Sequence, residues 1–263
     1  MDDKELYLQT QSRFFDRFWD LRAKMMLEHL SIEEFSRADL DWNGTRWLNI
    51  VPFADDFLIG VRNEVELFGA NVVRLCAWEE VLNESPRDHW PFLLEYAVLP
   101  IYHTTLLSPY MISERIKFCT LLLFEKADEL LIPGHVIPDE RKINNDKAWQ
   151  NRLTAKPMGI DIADLDEAIK ILKRSTVTHL RNRITHRIPP NLQYGFLTTV
   201  QIKRSGTKQA ILFQGEPPAL LSDFIPRLMN EHAHAVKAAR AFCPIVIALI
   251  ENLHAHSASA AVK

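Results

Sequence analysis

Residues 108–131 read SPYMISERIKFCTLLLFEKADELL, and this stretch decides the fold class. Apolar residues recur in it three or four positions apart, at Ile112, Ile116, Cys119, Leu123 and Ala127. That spacing is the period of an α-helix with one buried face. Ser108-Pro109 is typical of a helix start, and Pro133-Gly134 of a helix end. The segment therefore predicts a long amphipathic helix.

The same period recurs towards the N-terminus. Helices are expected over the first thirty residues, from about Asp55 to Asn83, and from Arg87 to about Thr105. The segment from Asp41 to Pro52 looks irregular and rich in Trp. Ser85-Pro86 is expected to stop one helix and cap the next, because serine hydroxyls cap and proline removes a donor. Pro100 is expected to kink or end the helix that follows.

The period also continues towards the C-terminus, with one change. Residues 135–158 are polar and include a charged helical stretch, and a further helix is expected from Asp161 to Pro189-Pro190. Phe196 to Arg204 and Lys208 to Gln214 are instead rich in Thr, Val, Ile and Phe, which predicts a β-hairpin at about 195–215. A last helix is expected from Ala219 to His254, bent at Pro244. The chain is thus predicted to be a mainly α-helical bundle with a small inserted hairpin.

Composition agrees with this class and bounds the compartment. Of 263 residues, 47% are hydrophobic, 25% are charged and only 8 are glycine, as in a helical globular protein.

The start of the sequence is acidic, unlike an export signal. The odd cysteine count, at Cys76, Cys119 and Cys243, argues against a disulfide framework or a thiolate zinc site. The apolar stretch from Cys243 to Leu253 is about half of the roughly 20 residues that a membrane span needs. We therefore expect a cytoplasmic protein without a membrane segment.

The charge is unevenly distributed. The net charge is −3, but residues 165–214 hold nine Lys or Arg against two acids. This basic island is a candidate for attracting phosphate groups. An ordinary solvated face that happens to be basic would give the same count.

One short pattern looks catalytic. In Arg181-Asn182-Arg183-Ile184-Thr185-His186, Asn182 and His186 lie one helical turn apart. On a helix, Arg181, Asn182, Thr185 and His186 fall on the side opposite the apolar stripe of Leu180 and Ile184. A buried histidine whose hydrogen bonds are satisfied in the core would lie on the apolar stripe itself. The arc is therefore either a functional surface or an ordinary exposed polar face.

This motif resembles that of the HEPN (higher eukaryote and prokaryote nucleotide-binding) superfamily, an Arg followed by four to six residues and a His, commonly with Asn after the Arg. The resemblance covers about residues 109–256 and implies an α-helical bundle in which two motifs face each other across a homodimer. It leaves residues 1–107 as an additional N-terminal helical region and 108–263 as the HEPN-like domain. Many members are metal-independent endoribonucleases, several of them in toxin-antitoxin or phage-defence systems. RNA is then the expected substrate, and a cognate antitoxin or regulatory protein the expected partner.

The residue types suit that chemistry. Metal-free RNA cleavage needs a proton acceptor near the 2′-hydroxyl and cations on the phosphate. His186 can exchange a proton near neutrality, and Arg181 can clamp phosphate oxygens. Asn182 and Thr185 are expected to orient the imidazole or the substrate. Further substrate contacts are expected from Arg183, Arg187, Lys203, Arg204 and Lys208.

The sequence is compatible with more than one function, and none of them requires a bound group. No cofactor or metal is expected: His232 and His234 point about 200° apart on a helix, and His179 with His186 lacks a nearby carboxylate. The competing function is a non-catalytic HEPN-like module that binds RNA, a nucleotide or a protein. A purely structural helical protein is the third possibility.

Overall fold

Long runs of helix-forming residues with few glycines form long helices in this protein. The computed structural model describes residues 3–25, 50–143, 145–174, 197–205, 208–216 and 220–261. Within them the chain is mainly α-helical, as the sequence predicts. The α-helices are α1 Asp3–Lys24, α2 Ile50–Glu84, α3 Trp90–Leu93, α4 Leu99–Leu131, α5 Glu140–Ile143, α6 Asp146–Ala155, α7 Ala163–Lys173 and α8 Leu221–Ala261. Short 3₁₀ turns span Arg87–His89 and Pro157–Gly159, and a π-helical turn spans Leu94–Val98.

Two strands follow α7 in the chain. β1 (Leu197–Ser205) and β2 (Lys208–Glu216) pair antiparallel, from Leu197 opposite Glu216 to Ser205 opposite Lys208. Their β-branched residues favour extended backbone.

The chain divides into two compact units, each built from three segments. The first unit contains Met1–Leu27, Gly69–Leu107 and Thr176–Asn230, and the second contains Glu28–Phe68, Ser108–Ser175 and Glu231–Lys263. Helices α2, α4 and α8 each contribute residues to both units. Segments distant in sequence therefore build each core.

Aromatic side chains hold the first unit together. Trp78 of α2 is 2% exposed, and the ring of Phe18 stacks on it at a centroid distance of 4.5 Å. Phe15 meets the same indole edge-on at 5.3 Å. Trp90 donates its indole N–H to the carbonyl of Leu82 at 3.0 Å. Because aromatic rings bury large areas with defined geometry, these contacts fix α1 and α3 against α2.

The second unit is packed around the α4 stripe predicted from the sequence. All five stripe residues are buried: Ile112, Ile116, Cys119, Leu123 and Ala127. On α7, the predicted residues Leu165, Ile169 and Leu172 are buried as well. The rest of that predicted helix, beyond residue 174, lies outside the described residues.

The expected helix break between Thr105 and Ser108 is wrong. α4 is continuous from Leu99 to Leu131 with Pro109 inside it, and Pro100 lies in its first turn rather than ending a helix. A proline removes one backbone hydrogen bond and costs about 3 kcal/mol in a helix interior. Leu106 and Ile112, on either side of Pro109, are each 1% exposed. Burial of such side chains, worth roughly 1.5–3 kcal/mol each, offsets the loss.

Two smaller expectations are also wrong. Ser85 does not cap the next helix, because its hydroxyl donates to the carbonyl of Val81 at 2.5 Å. The irregular segment expected up to Pro52 ends earlier, because α2 begins at Ile50. Proline is tolerated there, since N–H groups in a first helical turn have no partner within the helix.

Among the described helices, α8 is long and apolar enough over Leu221–His256 to span a membrane by length and composition. The sequence expectation, made on Cys243 to Leu253 alone, underestimated this length. Half of the most apolar window is buried inside the protein. The helix also carries buried Glu231 and His232. A core helix meets the same criteria, and packing within the chain accounts for half of this apolar surface.

Polar contacts link α4, α6 and α7 within the second unit. The ammonium of Lys117 on α4, whose side chain is 4% exposed, meets the Asp146 carboxylate on α6 at 2.6 Å. Trp149 of α6 donates its indole N–H to the buried carboxylate of Asp166 on α7 at 2.7 Å. Lys117 and Asp166 are costly to bury unless they are paired, whereas the Asp146 side chain is 91% exposed. The pairs therefore fix where α6 packs.

We predict strong coupling between Lys117 and Asp146. Asp146→Ala leaves a buried ammonium unpaired and should lower the free energy of unfolding by about 1–3 kcal/mol. Lys117→Met keeps the packed stem without a charge and should be close to neutral. In the Lys117→Met background, Asp146→Ala should cost less than about 1 kcal/mol, the scale of a helix-dipole effect.

Urea denaturation followed by circular dichroism measures all four proteins of this cycle. Glu84→Gln is the control, because Glu84 and its partner Arg17 are both substantially exposed, and it should leave the unfolding midpoint unchanged. Equal losses from Asp146→Ala in both backgrounds would show that the pair is not coupled.

Candidate functional site

The predicted catalytic residues lie outside the described part of the chain. Arg181, Asn182, Thr185 and His186 fall within residues 175–196, as do Arg183 and Arg187. The described chain leads to this segment through α7, which ends at Lys173. The predicted catalytic site is therefore identified from the sequence alone.

The three basic residues predicted on the hairpin fall close together along its backbone. Lys208 is the register partner of Ser205, Arg204 pairs with Gln209, and Lys203 pairs with Ala210. These are the three register pairs nearest the end where residues 206–207 join the strands.

The N-terminal end of the basic island is largely neutralised. On α7, the ammonium of Lys170 lies 2.6 Å from the Asp166 carboxylate, and that of Lys173 lies 2.6 Å from the Glu114 carboxylate of α4. Glu114 lies outside the basic stretch, so the sequence count overlooked it. Arg174, next in the chain, is exposed. The island therefore attracts phosphate less strongly at this end than its composition suggests.

A compact charged cluster in the second unit was missed by the sequence analysis. Arg152 of α6 contacts Glu125 Oε1 at 2.7 Å and Asp128 Oδ2 at 2.5 Å, both on α4. His135, just after α4, places Nε2 3.0 Å from Glu125 Oε2. Gly134 has a φ of +82°, a conformation that glycine adopts readily, and it turns the chain there. The available signal was the spacing of Glu125, Asp128 and His135 around that turn.

The environment of Arg152 favours its charged form. Burial by itself would lower the pKa of the guanidinium, but hydrogen bonds to Glu125 and Asp128 outweigh burial and raise it. The Phe124 ring lies 5.8 Å below the guanidinium carbon. Both carboxylates contact one guanidinium nitrogen, Nη2, so Arg152 links α6 to α4 through charge-assisted contacts.

Two concave surfaces occur in the described part of the second unit. One has a volume of about 390 Å³ and is lined by Asp161, Asp164 and Asn252 together with apolar α8 residues. The other has about 380 Å³ and lies along α2 and α4, with Glu64 and Arg115 paired beside it. The predicted catalytic residues lie outside the described part of the chain, so these two surfaces are defined without them.

Two of the described thiols, those of Cys76 and Cys119, are poor nucleophiles. Burial, aided by the neighbouring Glu79, raises the pKa of Cys76 to about 11. Burial likewise raises the pKa of Cys119 to about 12. Since the thiolate is the reactive form, both remain protonated and inert near neutral pH.

His232 is a packed core histidine. Burial lowers its pKa although a hydrogen bond to the Val65 backbone acts in the opposite direction. Its ring meets Phe68 edge-on at 5.7 Å. The residue is therefore neutral near pH 7 and serves packing.

Comparison with known proteins returns no relative. No family model matches the chain, and no curated protein or solved structure matches it significantly. The functional argument therefore depends on the residues of this chain alone.

Proposed function

We propose that this protein is a metal-independent endoribonuclease of the HEPN type. The observation that carries the proposal is the sequence Arg181-Asn182 followed by His186, within a mainly α-helical chain. Support comes from the helices around it: α4 and α7 precede the motif and the long α8 follows it. The HEPN-like bundle over 108–263 is part of the proposal.

His186 is the general acid/base in this proposal. Deprotonation of the 2′-hydroxyl makes it a nucleophile that attacks the adjacent phosphorus and expels the 5′-oxygen, which takes up a proton. The products carry a 2′,3′-cyclic phosphate and a 5′-hydroxyl. Arg181 stabilises the developing charge on phosphate oxygens. Asn182 and Thr185 hold the imidazole or the substrate in place.

The proposed biological unit is a homodimer in which two motifs form a composite site. A role as a toxin or phage-defence effector follows the same resemblance, and so does regulation by a cognate antitoxin. A cytoplasmic location fits an enzyme that acts on cellular RNA.

A second candidate function is a non-catalytic HEPN-like module that binds RNA, a nucleotide or a protein partner. The pairing of Lys170 with Asp166 and of Lys173 with Glu114 favours the protein-binding form of this module, because it reduces the positive charge available for RNA phosphates. An RNA cleavage assay distinguishes the two functions, because only the first one cuts RNA.

We predict that the full-length protein cleaves RNA in the presence of EDTA and leaves 2′,3′-cyclic phosphate or 3′-phosphate ends. His186→Ala should reduce the rate by about 10²–10⁴, the usual value of general acid/base catalysis. Arg181→Ala should lose both rate and RNA affinity, because it removes a charge-assisted phosphate contact. Labelled RNA and mass spectrometry of the ends give these readouts.

His179→Ala is the matched control, because it removes a histidine seven residues from His186 and should retain most activity. Full activity of His186→Ala, or loss of cleavage on adding EDTA, would discard this mechanism. Binding of RNA without any cleavage would favour the second candidate.

The composite site also predicts a dimer. At micromolar concentration, multi-angle light scattering should give about twice the monomer mass of 30.4 kDa. A monomer at every concentration tested would contradict a site shared between two chains.

A further inference from the structure

The cluster around Arg152 has a charge imbalance. Glu125 and Asp128 carry two negative charges and Arg152 carries one positive charge, so with a neutral His135 the sum is −1. The four side chains are only 15–24% exposed. Because partial burial weakens screening by water, this imbalance favours uptake of another cation.

We propose that Glu125, Asp128 and His135 bind a divalent transition-metal ion such as Zn²⁺, in competition with the guanidinium of Arg152. One ligand atom from each of these three residues lies within 4.8 Å of the others. An imidazole nitrogen with two carboxylate oxygens is a donor set suited to Zn²⁺, with water in the fourth position. Ca²⁺ and Mg²⁺ prefer oxygen ligands throughout, so the imidazole favours zinc over them.

The ligands come from one short stretch that the fold holds in place. Glu125 and Asp128 lie three residues apart on α4 and therefore point from one helix face. The turn at Gly134 brings the His135 imidazole back to the same carboxylates. All three ligands are therefore supplied by the end of α4 and the turn that follows it.

Arg152 must release at least one carboxylate for an ion to bind. Its guanidinium contacts the same two side chains, at 2.7 Å on Glu125 and 2.5 Å on Asp128. Two cations cannot share those oxygens without repelling each other. Removal of the guanidinium should therefore tighten metal binding, whereas a purely structural ion-pair network would gain no affinity for metal.

This site plays no part in the proposed RNA cleavage. Its residues are distant in sequence from the motif at Arg181–His186, and the cleavage step needs no ion. Zinc affinity and RNA cleavage in EDTA are therefore separate measurements. A negative result in one of them leaves the other proposal standing.

Isothermal titration calorimetry of the full-length protein with ZnCl₂ tests the site. We expect the wild type to bind one equivalent and His135→Ala to bind at least about tenfold more weakly. His256→Ala is the matched control, because His256 is exposed at the far end of α8, and it should bind as the wild type does. Equal affinities of these two variants, or no binding by the wild type, would overturn the proposal.

The Arg152→Met variant tests directly whether the guanidinium competes with zinc. Its zinc affinity should rise about tenfold, and zinc should raise its unfolding temperature more than that of the wild type. Arg152→Lys, which keeps a charge without the planar fork, should fall between the two. Should Arg152→Met fail to fold, Glu125→Gln replaces it, with weaker zinc binding expected. Unchanged or weaker affinity in folded Arg152→Met would show that the cluster is an ion-pair network only.

Discussion

Charged side chains that α4 carries into packed surroundings require partners, and the arrangement of the second unit depends on that requirement. Lys117 meets Asp146, Glu114 meets Lys173, and the pair Glu125 and Asp128 meets Arg152. The partners come from α6 and α7. The cost of losing a partner is largest for Lys117, whose side chain is 4% exposed, because leaving a buried charge unpaired costs several kcal/mol. Apolar burial makes the unit compact, and these pairs specify which helix lies where.

The sequence predicted helices well where the apolar period was long. The stripe from Ile112 to Ala127 and the residues Leu165, Ile169 and Leu172 are buried as expected, because helical periodicity is set locally. It failed at Pro109, where local rules predict a new helix start but burial on both sides keeps α4 continuous. The pairing of Lys173 with Glu114 was also beyond reach, because the partners are 59 positions apart. Side-chain contacts between distant segments leave no periodic signal.

The candidate sites differ in how they were found. The motif from Arg181 to His186 could be recognised because its spacing is local. The spacing of Glu125, Asp128 and His135 is also local, but the contact of Arg152 with the two carboxylates needed a structure. The ion pairs of α7 show why a count of basic residues overstates the affinity for phosphate. Lys170 and Lys173 belong to the basic stretch, yet acids already hold them.

In the proposed mechanism, the 2′-hydroxyl of RNA is activated by His186 and is the nucleophile. The most direct measurement compares an oligoribonucleotide with the same sequence carrying 2′-O-methyl groups at every ribose, both incubated with the protein in EDTA. We expect the unmodified strand to be cleaved and the methylated strand to stay intact, because methylation removes the nucleophile. Equal cleavage of both strands, or no cleavage of either, would contradict it.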